Sequence, residues 1–304
     1  MKNNKKLIIS ICLSIFTLCI SLLGFLPLLK QSNNDDKYIN WMSKLDDNTS
    51  IRDISIPGSH DTMALYSIAD LAGQCQSLDL IDQLELGVRF LDIRLKEENN
   101  KLKAVHGFID QKATFTYITN TIEKFLNNHP SEFIFMSIKE EAAATNSNIS
   151  FEEALLNYLN NDIYLKDTRT VPDKLSSIRG KVILLSRYSN SSIGIASYDN
   201  WKDSSSFTME DSDIYVQDKY QIEDKLTKQE EIIKCFNETG HKLKINFLSA
   251  YRTNYFPPSY AVSSAIDINP WINKEISKHS DRGIVLYDFI SKSNMDAFFK
   301  GIIS

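Results

Sequence analysis

Val88-Arg89-Phe90-Leu91-Asp92-Ile93-Arg94-Leu95 is a short apolar run that carries an acid and a base on alternate positions near its end. A nearly continuous series of Ile, Leu, Val and Phe at this length suits a strand buried on both faces. The same signature predicts strands at Ile51–Ile56, Leu102–His106, Phe133–Lys139, Lys181–Arg187, Ile214–Gln217, Lys244–Leu248 and Ile284–Phe289. Helical periodicity runs through Tyr117–Asn127, Phe151–Leu159, Ile222–Phe236, Pro270–Lys278 and Asn294–Ile302. Strand–helix alternation with no Gly-x-Gly-x-x-Gly turn predicts an α/β parallel barrel rather than an open sheet. Helices are fewer than strands, so the expectation is a distorted or incomplete TIM-type (β/α) barrel in a single catalytic domain.

Barrel enzymes carry their chemistry at the C-terminal ends of the strands. On this reading His60-Asp61 closes the first strand, Asp92 and Arg94 end the second, and His106 ends the third. Lys139 and Arg187 end the next two, Asp218 and Tyr220 follow another, and Asp288 lies near the end of the last. These polar residues would converge on one mouth. Two histidines, an arginine and several carboxylates are the parts needed to move protons around a phosphate diester. The remaining histidines, His129, His241 and His279, fall at helix ends or in a turn, where histidine is common without any catalytic task.

Composition narrows the class. The 304 residues with 42% hydrophobic content can bury a substantial core, and a net charge of −5 without a basic tract argues against nucleic acid. Cys75 and Cys235 have no zinc-site or disulfide-framework spacing and read as two ordinary thiols, with a single disulfide as the lesser alternative. Lys2, Lys5 and Lys6 precede an apolar run from Leu7 to Leu29 and a polar stretch after it. Residues 1–30 therefore read as a signal peptide or an N-terminal membrane anchor, 31–40 as a polar linker, and 41–304 as the catalytic barrel. Cleavage and retention both place the catalytic domain outside, secreted or extracytoplasmic.

Several motifs recur in order along the chain. They are Ser55-Ile56-Pro57-Gly58-Ser59-His60-Asp61, Leu91-Asp92-Ile93-Arg94, Val105-His106-Gly107, the segment from Pro130 to Lys139, Gly180 to Arg187, Val216-Gln217-Asp218-Lys219-Tyr220 and Ile268-Asn269-Pro270. Together they resemble the bacterial phosphatidylinositol-specific phospholipase C family, from about Trp41 to the C-terminus. The resemblance implies a distorted barrel acting as a monomer on phosphatidylinositol at membrane interfaces, or on glycosyl-phosphatidylinositol-anchored proteins. It implies that His60, oriented by Asp288, is the general base on the inositol 2-hydroxyl. His106, supported by Asp61, would protonate the departing glycerol oxygen. Arg94, with Asp92 beside it, would hold the phosphate, and Lys139, Arg187, Asp218 and Tyr220 would bind the inositol.

An arginine at position 94 supplies fixed positive charge where calcium-dependent relatives use a metal, so neither metal nor other cofactor is expected. Glu140 and Glu141 read as a solvated helix start rather than calcium ligands. The loop Tyr255–Tyr260 offers aromatics to a lipid interface or to the barrel. Met63–Leu78 lacks the tryptophan that the family carries on its rim. The competing readings are a metal-dependent glycerophosphodiester phosphodiesterase and an inactive inositol-lipid-binding module.

Overall fold

The structure, a computed structural model, describes residues 37–67, 73–199, 201–241, 243–252 and 261–303. The leader at 1–30, most of the linker and the aromatic loop at 255–260 lie outside the described residues. Among the described residues no helix is long and apolar enough to cross a membrane.

Fourteen strands and six α-helices are described. The chain begins with β1 (Ile56–Ser59), α1 (Leu80–Glu85), β2 (Phe90–Glu98), β3 (Lys101–His106), β4 (Ile109–Thr114) and α2 (Phe115–Asn128). It continues with β5 (Ile134–Thr145), α3 (Phe151–Leu156), β6 (Tyr164–Leu165), β7 (Val182–Arg187), β8 (Ile195–Ala196), β9 (Ser206–Met209), β10 (Ile214–Gln217) and β11 (Gln221–Ile222). Last come α4 (Lys225–Asn237), β12 (Leu243–Phe247), β13 (Tyr251–Arg252), α5 (Ala261–Glu275), β14 (Ile284–Tyr287) and α6 (Lys292–Phe299).

The sheet runs β6-β7-β5-β2-β1-β14-β12-β10-β9. Along this order every ladder from β6 to β10 is parallel and β9 joins antiparallel to β10. Among the described residues no ladder joins β7 or its short partners to β9 or β10, so the barrel is open along one seam. The predicted incomplete barrel is the observed one. Its core is Ile, Leu, Val and Phe from both faces of the strands, with β7 buried throughout. Helix α2 places Phe115, Ile118, Ile122, Phe125 and Leu126 on one buried stripe and is capped by Thr114, whose hydroxyl accepts the Tyr117 N–H.

Three expectations need correction. The first strand is not Ile51–Ile56: residues 51–53 form a 3-10 turn, and β1 starts at Ile56 and runs through Pro57 and Gly58. Proline normally argues against a central strand. Here the N–H groups of Ile56 and His60 donate to the carbonyls of Gly283, just before β14, and Tyr287, and alternation turns Pro57 toward β2, whose ladder begins only at Gly58–Phe90. No bond is therefore lost. Gly58 is required by close approach, since a Cβ there would stand 2.9 Å from Phe90 Cβ.

The second correction concerns His106. Strand β3 is antiparallel to β2, with Leu95 opposite Ala104, and hairpins on to β4. His106 is thus not the end of a parallel barrel strand. It returns to the mouth because β2 overshoots the barrel by several residues and β3 runs back beside it. The third concerns Glu140 and Glu141, which start no helix. They lie on β5, which follows β2 outward to Thr145.

Candidate active site

Sheet register assembles the site. Arg94 lies opposite Lys139, and Lys139 opposite Arg187, so three cations from β2, β5 and β7 share one rung. Neighbouring side chains on a rung share a face. Like charges so placed repel unless acids are interleaved, and the sequence supplies them. Asp92 is fully buried; one oxygen accepts from Arg94 Nε and Nη2 at 3.2 and 3.1 Å, the other from Arg187 Nη1 at 3.1 Å. Burial opposes its charge, but the two guanidinium groups outweigh that and hold the carboxyl well below the usual range. Glu141 bonds Lys139 at 2.7 Å and stands 3.7 Å from Arg94 Nη1.

His60 leaves the end of β1. Its Nδ1 lies 2.7 Å from Asp288 Oδ1, just beyond β14, and its Nε2 lies 2.7 Å from Arg94 Nη2. A guanidinium can only donate, so Nε2 carries the lone pair and Nδ1–H donates to Asp288. The geometry selects one tautomer. Burial disfavours the imidazolium, yet the Asp288 charge overrides it and raises the pKa above the ordinary 6.5. Gln76 donates to the backbone carbonyls of both His60 and Tyr287 at 2.8 Å and ties the two strand ends together.

Asp61 sits in the left-handed region at φ 43°, a rare place for a residue with a side chain, and its N–H donates to Asp92 Oδ2 at 3.0 Å. That turn aims the carboxylate between Arg94 Nη1 at 3.5 Å and His106 Nε2 at 3.6 Å. His106 donates from Nδ1 to the Gly73 carbonyl at 2.8 Å, so its ring is also fixed in one orientation.

The remaining wall comes from the segment between β8 and β9. Trp201 lies face-on to Arg187, with the guanidinium carbon 3.6 Å from the ring centroid, and its Nε1–H donates to Asp218 at 2.9 Å. Tyr220 donates to Asp203 at 2.7 Å; burial and that carboxylate push the phenol up to about 12. The cleft enclosed by these groups measures about 750 Å³ and reaches from His60 and His106 to Tyr220.

All ten candidate residues therefore meet at one mouth, Asp61 and Asp92 beneath its floor and the others on its surface. Sequence reasoning missed Trp201 and Asp203 and set Glu141 aside. A lone tryptophan within the polar stretch Ser197–Ser205 was the available signal for the first. Glu141, two residues after Lys139, has the alternation of a continuing strand. Cys75 and Cys235 are both buried and free, and His129, His241 and His279 stand away from the cleft.

Comparison with known proteins agrees with this geometry. Residues 49–188 match the family described as phosphatidylinositol-specific phospholipase C, X domain. The 1-phosphatidylinositol phosphodiesterase of Listeria monocytogenes is 30% identical over 277 residues, covering 86% of this chain and 84% of that protein. That of Staphylococcus aureus strain Newman is 28% identical over 78% of this chain and 83% of its own length. The solved Listeria phosphatidylinositol-specific phospholipase C superposes with a TM-score of 0.70 at 28% identity, over 86% of this chain and 98% of that one. A variant of the Staphylococcus enzyme, 23% identical, shares the fold with a TM-score of 0.74 over 88% of this chain and 99% of that one.

Proposed function

The chain belongs to the phosphatidylinositol-specific phospholipase C family, X-domain type, and on that premise we propose that it cleaves phosphatidylinositol to diacylglycerol and inositol 1,2-cyclic phosphate. The observation that carries the reading is the placement of the two histidines around Arg94, each backed by a buried carboxylate. His60 presents a lone pair at Nε2, with Asp288 behind Nδ1. His106 presents Nε2 toward the Asp61 carboxylate, which pairs with it when the ring carries both protons. One ring is poised to take a proton and the other to give one.

When substrate enters, the inositol 2-hydroxyl replaces the guanidinium at His60 Nε2 and gives up its proton there. The oxygen attacks the adjacent phosphorus, an intramolecular step favoured by proximity. Arg94, released from His60, faces the non-bridging oxygens with two parallel N–H groups and offsets their growing charge. His106 protonates the glycerol oxygen as it departs. Lys139, Arg187 and Asp218 bond the ring hydroxyls, and Tyr220 and Trp201 cover its apolar face. Arg94 supplies the positive charge, so the reaction runs without a metal cofactor. The site is complete within one chain, which supports action as a monomer, and the lysine-flanked leader supports an extracytoplasmic location.

The test is incubation of the purified protein with phosphatidylinositol and phosphatidylcholine in excess EDTA, with products read by phosphorus NMR. Cyclic inositol phosphate should form from the first lipid and little should form from the second, whose headgroup leaves the polar pocket unpaired. Equal rates on both lipids would refute the headgroup assignment. Activity lost in EDTA and restored by calcium would refute the metal-free mechanism.

A further inference from the structure

Cys75 has no task in the reaction above, yet its thiol lies at the floor of the cleft between the two histidine–aspartate pairs. Backbone bonds hold it on both sides: its N–H donates to the Ala64 carbonyl at 2.9 Å and its carbonyl accepts from Phe289 at 2.7 Å. The thiol, one nitrogen of His106 and one oxygen of Asp61 all lie within 4.8 Å of one another. Asp61 is 1% exposed, and its Oδ2 has no hydrogen-bond donor. His106 gives Nδ1–H to the Gly73 carbonyl, the outer-sphere contact that fixes a ligating imidazole and leaves Nε2 free to bind.

We propose that Cys75 Sγ, His106 Nε2 and Asp61 Oδ2 form a site for a thiophilic divalent metal ion, of the zinc and cadmium class, whose binding shuts the enzyme off. Ligand atoms about 2.0–2.3 Å from a tetrahedral zinc stand roughly 3.3–3.8 Å apart. The His106–Asp61 distance of 3.6 Å already meets that spacing, and the thiol lies within 4.8 Å of both. Binding expels the thiol proton to solvent and leaves a thiolate on the metal. A second triad, His60, Cys75 and Asp288, has the same span, but its imidazole spends both nitrogens, on Asp288 and on Arg94, at 2.7 Å each. The His106 side is therefore the site. Arg94 Nη1, 3.5 Å from the same Asp61 oxygen, opposes any cation. A soft ion gains a sulfur bond in return, whereas magnesium and calcium gain nothing from sulfur. The occupied site removes the proton donor of the proposed reaction, and in that respect the inhibition rests on the function proposed above.

The experiment uses the full chain in detergent, stripped with chelator and desalted. Cadmium titration should raise a thiolate-to-metal charge-transfer band that Cys75→Ala removes and Cys235→Ala retains. Zinc should depress phosphatidylinositol turnover, EDTA should restore it, and calcium should have no effect. Cys75→Ala should turn over like wild type without metal. It should need at least roughly 100-fold more zinc for inhibition, because losing a ligand costs more than losing an outer-sphere partner. A band and an inhibition both unchanged in Cys75→Ala would overturn the site. A Cys75-dependent band with turnover untouched would overturn the shut-off. Absence of any turnover would strike the proposed reaction alone, because the cadmium band decides the site by itself.

Discussion

Two arginines five positions apart on one segment have opposite surroundings. Arg89, just before β2, is fully buried at the N-terminal end of the barrel. It donates to Glu132, to the carbonyls of Leu84 and Val88, and to that of Ile39, and it lies over the Phe125 ring. Arg94, at the other end, faces three carboxylates and a histidine, and its side chain is 12% exposed to the cleft. Burial opposes both charges. At Arg89 it prevails and lowers the pKa; at Arg94 the charges of Asp92, Asp61 and Glu141 outweigh it and raise the pKa. The buried arginine is saturated by one acid and several carbonyls, whereas the one at the mouth sits in an excess of acid and keeps a face to the cleft.

Arg89→Met should break this contrast most severely. It leaves Glu132 charged and buried, and removal of one partner from such a pair costs about 3–5 kcal/mol. Urea denaturation should register that loss, while the folded fraction keeps its KM. Arg94→Lys should do the reverse. It keeps the charge, loses the two-pronged contact, and should lower kcat/KM by roughly 100–1,000-fold with the denaturation midpoint near wild type. A large stability loss at Arg94, or a catalytic loss at Arg89 without one, would erase the distinction.

His60 sharpens the comparison through pH. Its folded pKa is raised above 6.5, so activity should climb with pH through a limb above that value as the ring loses its proton. Asp288→Asn should move the limb to lower pH, since the carboxylate is what raises it. The sign for stability is opposite. The His60–Asp288 pair stabilises the fold fully below pH 6.5, and that contribution fades as pH rises through the raised folded value. An acid limb unmoved by Asp288→Asn would assign it to another group.

Lys228 on α4 should give the smallest effect. It is fully buried and donates to Gln217 Oε1 at 3.2 Å and to the Lys219 carbonyl at 2.9 Å, on either side of Asp218. Burial lowers its pKa to about 8 against the pull of Asp218, Asp288 and Glu231. Lys228→Met should raise KM for a soluble inositol phosphodiester about fivefold, the equivalent of one hydrogen bond near 1 kcal/mol, with kcat little changed. In wild type KM should rise as pH passes about 8, and in the variant that rise should vanish. A KM independent of both would make Lys228 a packing residue only.

The mouth was legible because strand-end residues betray themselves: an apolar run followed by Asp-x-Arg, Lys or Arg has little reason to be polar except at an end. Arg94, Lys139 and Arg187 fell on one rung as that reading required. Local rules misled where tertiary context overrode them. The expected first strand ended at Ile56, yet β1 runs on through Pro57, whose missing N–H faces β2 ahead of that ladder, and through Gly58, which fits a space that no Cβ could enter. His106 reached the mouth by a hairpin that periodicity cannot tell from another parallel strand. Trp201 and Asp203 belong to a stretch with no period at all; its lone tryptophan is a sequence signal, whereas Asp203 is marked only by its bond to Tyr220.

That stretch crosses the open seam. A ring of strands closed by backbone bonds fixes its own circumference, because each ladder dictates the next. Here closure between β7 and β10 depends on side chains: Trp201 against Arg187 and Asp218, and Tyr220 against Asp203. Side-chain closure carries no fixed length. The segment is anchored at its ends, where Ser197 N–H donates to the Ser186 carbonyl and the Ser205 carbonyl accepts from Asp218 N–H, and between them Trp201 and Asp203 meet the cleft through side chains. Hydrogen-bonded ladders fix Arg94, Lys139 and Arg187 on one rung, while the wall facing Arg187 is set by the side-chain contacts of Trp201.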